Sequence, residues 1–449
     1  LAVRLDPRAS RLSVDATVVL PPSTPASIEL LLNATLEVTS AEPGVEVVPT
    51  GDLRAMVGDA AAAARLAPLV RRYRASAGTA GGRLRLTYEG PFGSGLDAQP
   101  EARGDGIGDA AGSISPRGVY LDGDSLWYPR VGPAPLTFEL EASVPPGWHL
   151  VSEGDGVSRD EQGRARWATT RPLEGIHLVG GPLRVWRHRA GDIDMLVYLH
   201  DDEGELAARY LSATARYLKM YGALIGRYPY SKFALVENFR ETGYGMPSFT
   251  LLGPAVTRLP FILESSYPHE ILHNWWGNRV FVDPADGNWS EGLTAYLADH
   301  LMQERRGQGA EYRRDALQRY ASYVGGERDF PLVAFRGRES AATEAVGYGK
   351  TMMVVHMLRR RLGDERFRTL LARFFRDFAG RRASFRDLQR AAEAVAGVTL
   401  APFFEAWITR TGAPALAVEG ARAERHGGRW TVDATIRQVH DGAPYGLSL

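Results

Sequence analysis

Over the first two hundred positions, apolar residues either alternate with polar ones or run together for the length of a strand. The segments RLSVDATVVL (11–20), SIELLLNATLEV (27–38), GRLRLTYEG (82–90), LTFELEASV (136–144) and DIDMLVYLH (192–200) all read this way, with PPSTP, PPGW and GDG turns between them. Many short strands without intervening helices predict an antiparallel saddle or sandwich. The exception is 58–78, GDAAAAARLAPLVRRYRASAG, which is expected to be an inserted helix.

Near residue 203 the period changes from two to 3.6. Residues 204–226, 311–324, 351–363, 364–380, 384–397 and 400–412 all place apolar side chains at helical spacing. Ser384 with Asp387 forms a capping box, and Gly363 and Gly397 stand at helix ends. Two short strands, KFALVEN (232–238) and PSFTLLG (247–253), interrupt the helices. After Gly412 strand patterns return in 415–424, 429–439 and 445–449, too few to close a core. The expected organisation is a β-rich domain at 1–202, a mostly helical domain with a small sheet at 203–412, and the start of a small or truncated β-domain at 413–449.

Composition narrows the picture modestly. The 449 residues exceed what one hydrophobic core supports, and 53 basic residues balance 53 acidic ones. That balance gives no reason to expect nucleic acid or an anionic membrane as partner, and no apolar run reaches the ~18–20 residues of a membrane span. With no cysteine, disulfides, thiolate ligands and cysteine nucleophiles are excluded. The chain starts at Leu1 without a basic-then-apolar leader, so a signal peptide would have been removed or left out. Cytoplasmic and exported locations are both compatible with a soluble protein, and a monomer is favoured over an oligomer.

The chemistry concentrates in PHEILHNWWGNRVFVDPADGNWSEGLTAY, residues 268–296. His269 and His273, four apart, share one face of a helix and can meet one zinc ion at ~2.0–2.1 Å, while Glu270 beside them reaches a water on that ion. Pro268 suits the first turn of that helix and Gly277 its stop. Glu291, opening the next helix with Ser290 as its cap, is the candidate third ligand. Asp283 and Asp286, in a Pro/Gly loop, read as turn formers. His300 is a candidate outer partner of the metal ligands, though a surface histidine is the plainer reading. His356 reads as a core histidine.

HEILHNWWGN followed by EGLTAY resembles the aminopeptidase N and leukotriene hydrolase family of gluzincin metallopeptidases. The resemblance implies one zinc ion per chain held by His269, His273 and Glu291, with Glu270 as general base. It also implies a β-saddle followed by a thermolysin-like domain. EAVGYGKTMMVVHMLRRRLG (344–363) is similar to the family helix whose tyrosine stabilises the tetrahedral intermediate, which assigns that role to Tyr348, with Lys350 at the motif's lysine.

Three departures bear on the substrate. The gap from His273 to Glu291 is one residue short of the family spacing, and the family's large C-terminal helical domain has no counterpart by residue 449. Most consequential is the substrate strand. Where the family carries G-x-M-E-N, whose glutamate binds a free α-amine, this chain reads GYGMPS, with Pro247 in the acid's place and Ser248 in the asparagine's. The backbone of Gly243, Tyr244, Gly245 and Met246 still offers pairing to an extended substrate, and Glu241 or Glu237 are candidate replacement anchors. The expected function is zinc-dependent hydrolysis of peptide or protein substrates, most simply of aminopeptidase type. The alternatives are an endopeptidase or glycyl-aminopeptidase-like enzyme, and, from another class, a non-catalytic zinc-stabilised peptide-binding protein.

Overall fold

A computed structural model of the chain describes residues 1–449 apart from 23, 59, 77–81, 93–111, 326–327 and 448–449. The alternating segments of the first half form the expected strands. A seven-stranded sheet runs in the order Asp155–Val157, Arg164–Leu173, Leu136–Ser143, Ala2–Asp6, Arg11–Val19, Arg83–Pro91, Glu37–Glu42. All its pairings are antiparallel except that of Ala2–Asp6 with Leu136–Ser143. A four-stranded and a three-stranded sheet accompany it, so the β-rich unit is the layered antiparallel structure that the period-two pattern predicts. Within 58–78, only Ala60–Leu66 is α-helical. Val70–Ser76 is a strand between Ser27–Asn33 and Val45–Val48, and 59, 77 and 78 lie outside the described residues. Buried Tyr73 and Ala75 alternate with Arg72, Arg74 and Ser76 there, so a period of two prevails over the end of that strand.

A five-stranded mixed sheet separates the β-rich unit from the helices, in the order Arg184–Ala190, Ile193–Leu199, Lys232–Glu237, Phe249–Leu252, Gly243–Met246. Its first two strands precede residue 202, yet Ile193–Leu199 pairs in parallel with Lys232–Glu237 across the helix Gly204–Leu224. Alternate residues feed two cores. Met195, Val197, Leu199, Phe233 and Leu235 face the helices, whereas Leu196, Tyr198, Ala234 and Val236 face the β-rich unit.

Beyond the sheet, helices at Gly309–Tyr323, Thr351–Leu362, Asp364–Phe378 and Phe385–Ala396 follow the periodic segments, and the Ser384–Asp387 capping box forms as read. Leu416–His426 and Arg429–Gln438 make an antiparallel ribbon. The expected third strand at 445–449 does not form over its described residues. Tyr445 packs on Trp407 at 4.7 Å instead, with its backbone bracketed by the Gln438 amide. Among the described residues, no helix is long and apolar enough to cross a membrane.

Candidate metal centre

The helix Ser266–Leu272 is shorter than the sequence implies. His273 caps it with helical dihedrals, and Gly277, at φ +98°, closes the following turn. His269 and His273 nevertheless keep their one-turn spacing, with ring centroids 4.9 Å apart. Glu291 sits in the first turn of Trp289–Ala295, where the N-cap is Asn288 rather than Ser290, because the Asn288 side chain accepts from the Ser290 amide. Nε2 of each histidine lies 3.5 Å from the same oxygen of Glu291, Oε2, and the three donor atoms lie within 4.8 Å of one another.

The tautomers follow from the partners. Nδ1 of His269 faces Asp299 Oδ2 at 2.9 Å and Nδ1 of His273 faces the Trp276 carbonyl at 3.0 Å. Both partners accept, so each Nδ1 carries a proton and each Nε2 is aimed at Glu291. Against burial, Asp299 and Glu291 raise the proton affinity of His269 and Glu291 that of His273, so a metal ion bound there would replace a proton on each Nε2. Two neutral imidazoles and a carboxylate form the donor set of a zinc site, so the residues present fit that ion.

Glu270 and Tyr348 border the triad. Burial pushes the Glu270 carboxyl above its ordinary range, against the pull of His269 and His273. For Glu291, burial acts upward too, but His273 and His269 hold its carboxyl well below the usual range. The Tyr348 ring stands 6.1 Å from that of His269, nearly parallel to it. Burial, then the charge of Glu291 and a hydrogen bond to it, drive its phenol well above the ordinary value, so it stays protonated. Tyr348 lies in a π-helical turn, Ala345–Lys350, and Asp299 lies in another, Tyr296–His300.

Gly243–Met246 forms the sheet edge beside the triad, with Gly245 against Glu270. A β-carbon at Gly245 would meet the Glu270 carbonyl at 2.8 Å and its Oε2 at 2.9 Å. Asn278 Nδ2 donates to the Gly245 carbonyl at 2.8 Å. The turn leaving the strand is fixed at Ser248, whose φ is +69°. Its amide donates to Asn274 Oδ1 at 2.8 Å, and its hydroxyl accepts from the buried Lys232 ammonium at 2.6 Å. Lys232 also lies 4.8 Å from the Trp167 ring of the β-rich unit, and burial lowers its pKa to about 7.

The candidate replacement anchors are engaged elsewhere. Glu237 is buried, pairs with Arg258 and accepts from the His200 amide at 2.7 Å. Glu241 accepts from the amides of Ala255 and Val256 at the start of Pro254–Thr257. The cavity both line, with His200, Asp201, Pro254, Ala255 and Arg258, includes none of the triad. His300 does not touch the ligands, since its Nε2 faces Arg313 at 2.7 Å and its ring stacks on Tyr296. His356 is half-buried, bonded to the Tyr296 hydroxyl at 3.1 Å. Asp283 caps Pro284–Asp286 and Asp286 receives the Arg386 amide, as turn formers do.

Residues 264–407 match the model of the Peptidase family M1 domain. The alanine/arginine aminopeptidase of Saccharomyces cerevisiae is 23% identical over 234 residues, 48% of this chain and 27% of that protein. Aminopeptidase N of Lactococcus lactis is 25% identical over 164 residues, 34% of this chain and 19% of that protein. The matched stretches thus span less than a third of these curated relatives. Among solved structures, the M1 zinc metallopeptidase of Deinococcus radiodurans superposes with a TM-score of 0.67 at 21% identity, covering 92% of this chain and 93% of that one. Yeast LTA4 hydrolase gives 0.66 at 16% identity, covering 92% and 67%.

Proposed function

From the match of residues 264–407 to the Peptidase family M1 domain, we propose a zinc-dependent metallopeptidase of aminopeptidase type, with one zinc ion per chain held by His269, His273 and Glu291. The observation that carries the reading is the convergence of both Nε2 atoms on one Glu291 oxygen while both Nδ1 atoms are tied to acceptors. Zinc bound there supplies Lewis acidity toward a scissile carbonyl and toward water.

The chain's own residues supply the rest. Glu270, half-buried and with its proton affinity raised, takes a proton from the attacking water and hands it to the leaving amine. Tyr348 keeps its hydroxyl proton at neutral pH and donates a hydrogen bond to the oxygen on which charge develops. An extended peptide adds itself alongside Gly243–Met246, whose outer side carries no strand among the described residues. Gly245 allows that strand to run directly against Glu270.

The test pairs a zinc assay with hydrolysis of free-amine and N-blocked peptides by wild type and Glu270→Gln. The expected outcome is stoichiometric zinc in both, cleavage of free-amine substrates by the wild type, and none by the variant. Full activity in Glu270→Gln would refute the mechanism, and cleavage of blocked peptides would make the enzyme an endopeptidase.

A further inference from the structure

A cavity of about 420 Å³ is lined by Tyr348 and by Asp299, the partner of His269, though by none of the triad itself. Tyr348, Glu344 and Asp299 border it on one side, and the helix Gly309–Tyr323 walls the other with Tyr312, Asp315, Arg319 and Tyr323. Those four recur at helical spacing, so a single face of that helix is turned to the cavity. Contact with Tyr348 puts any occupant beside the reacting groups, and the volume is that of a small-molecule site.

The lining charges choose the occupant. Three carboxylates and one guanidinium border the space. Asp299 is occupied by His269, and Glu344 is bridged by Arg319 at 3.7 Å and by Arg338 at 3.6 Å. Among the described residues, Asp315 has no cation within salt-bridge distance. An acidic occupant would have to part Arg319 from Glu344 and sit beside Asp315. A cation pairs with Asp315, which is exposed and otherwise without an ion-pair partner among the described residues, and leaves that bridge intact. The rings of Tyr312 and Tyr323, the latter 46% exposed, offer faces to an aliphatic stem and a charged head.

Resting on the metallopeptidase reading above, we propose that this cavity receives the side chain of a substrate residue flanking the scissile bond and selects lysine or arginine there. The test is a peptide series carrying arginine, lysine, citrulline, norleucine or glutamate at each of the two flanking positions. It is run on the zinc-loaded wild type, Asp315→Asn and Asp315→Arg, after matched zinc content and thermal unfolding show each protein folded. At one position the wild type should favour arginine over citrulline by about tenfold in kcat/KM. Asp315→Asn should bring that ratio close to one, and Asp315→Arg should turn the preference toward glutamate. Calorimetric titration of Glu270→Gln with arginyl and citrullyl peptides should show the same order of affinity without turnover. A wild type that cleaves peptides but does not discriminate arginine from citrulline at either position overturns the assignment and leaves the peptidase standing. So does a ratio unchanged by Asp315→Asn. A zinc-loaded wild type that cleaves no peptide overturns both.

Discussion

Gly245→Ala tests the placement of the substrate strand against the proposed base. The added β-carbon would stand 2.8 Å from the Glu270 carbonyl, 2.9 Å from its Oε2 and 3.1 Å from His273 Cβ, whereas ordinary contact begins at 3.4 Å. The nearest obstacle is helix backbone, which cannot rotate out of the way, so strand or helix must yield by roughly half an ångström in a close-packed wall. A displacement on the order of 1 Å at reacting groups costs about 10²-fold in rate, so a shift of about half that size predicts a loss of roughly tenfold, or about 1.4 kcal/mol of transition-state stabilisation. Overpacking would add about 1–3 kcal/mol of lost stability. The assay is kcat/KM at matched zinc content, with thermal unfolding alongside. Gly243→Ala is the comparison, because a β-carbon there meets nothing within 4 Å, and its activity should stay close to that of the wild type. Equal activity in Gly245→Ala and wild type would refute the placement of the strand against Glu270.

Other outcomes follow from neighbouring contacts. Asp299→Asn should weaken zinc binding by about 10- to 100-fold, measured by chelator competition, because Asp299 fixes the His269 tautomer. Tyr348→Phe should lower kcat by about 10²- to 10³-fold with little change in KM, as expected for a donor used mainly in the transition state. Lys232 governs a pH effect on stability. Its pKa of about 7 in the fold lies below that of an unfolded lysine, so between about 7 and 10.4 the unfolded chain binds more protons and stability rises with pH. Denaturation curves of wild type minus Lys232→Met should show that slope, up to about 1.4 kcal/mol per pH unit. A flat difference would mean the ammonium is not buried as described.

The proximity of the two candidate histidine ligands was legible because helical spacing alone brings His269 and His273 together, and the strands because alternation survives in the cores. The partner of His269 was not. Counted from Glu291 at about 100° per residue, position 298 returns to the same face and Asp299 falls about 80° away. The π-turn Tyr296–His300 inserts one extra residue and carries Asp299 round to His269. No residue pattern announces such a turn, which is why the neighbouring His300 drew attention instead. Lys232, one of three lysines in the chain, carries no such signal either, because its partner Ser248 becomes its neighbour only through sheet pairing. The amine anchor suggested by proximity along the chain, Glu237 or Glu241, met a three-dimensional fact that sequence does not carry: each carboxylate already serves Arg258 or a helix start.

The mixed sheet with a core on either face has a consequence for how the molecule comes apart. Because neighbouring residues of Ile193–Leu199 and Lys232–Glu237 belong to opposite cores, neither core can loosen without stripping one side of the same strands. The β-rich unit and the helices should therefore melt in one cooperative step. A fragment beginning at residue 203 would leave the Lys232–Glu237 edge unpaired and lose the strand Ile193–Leu199 that supports the half carrying the candidate metal centre. Cutting before Arg184 instead keeps the whole wall with the helices, although one of its faces would then meet water.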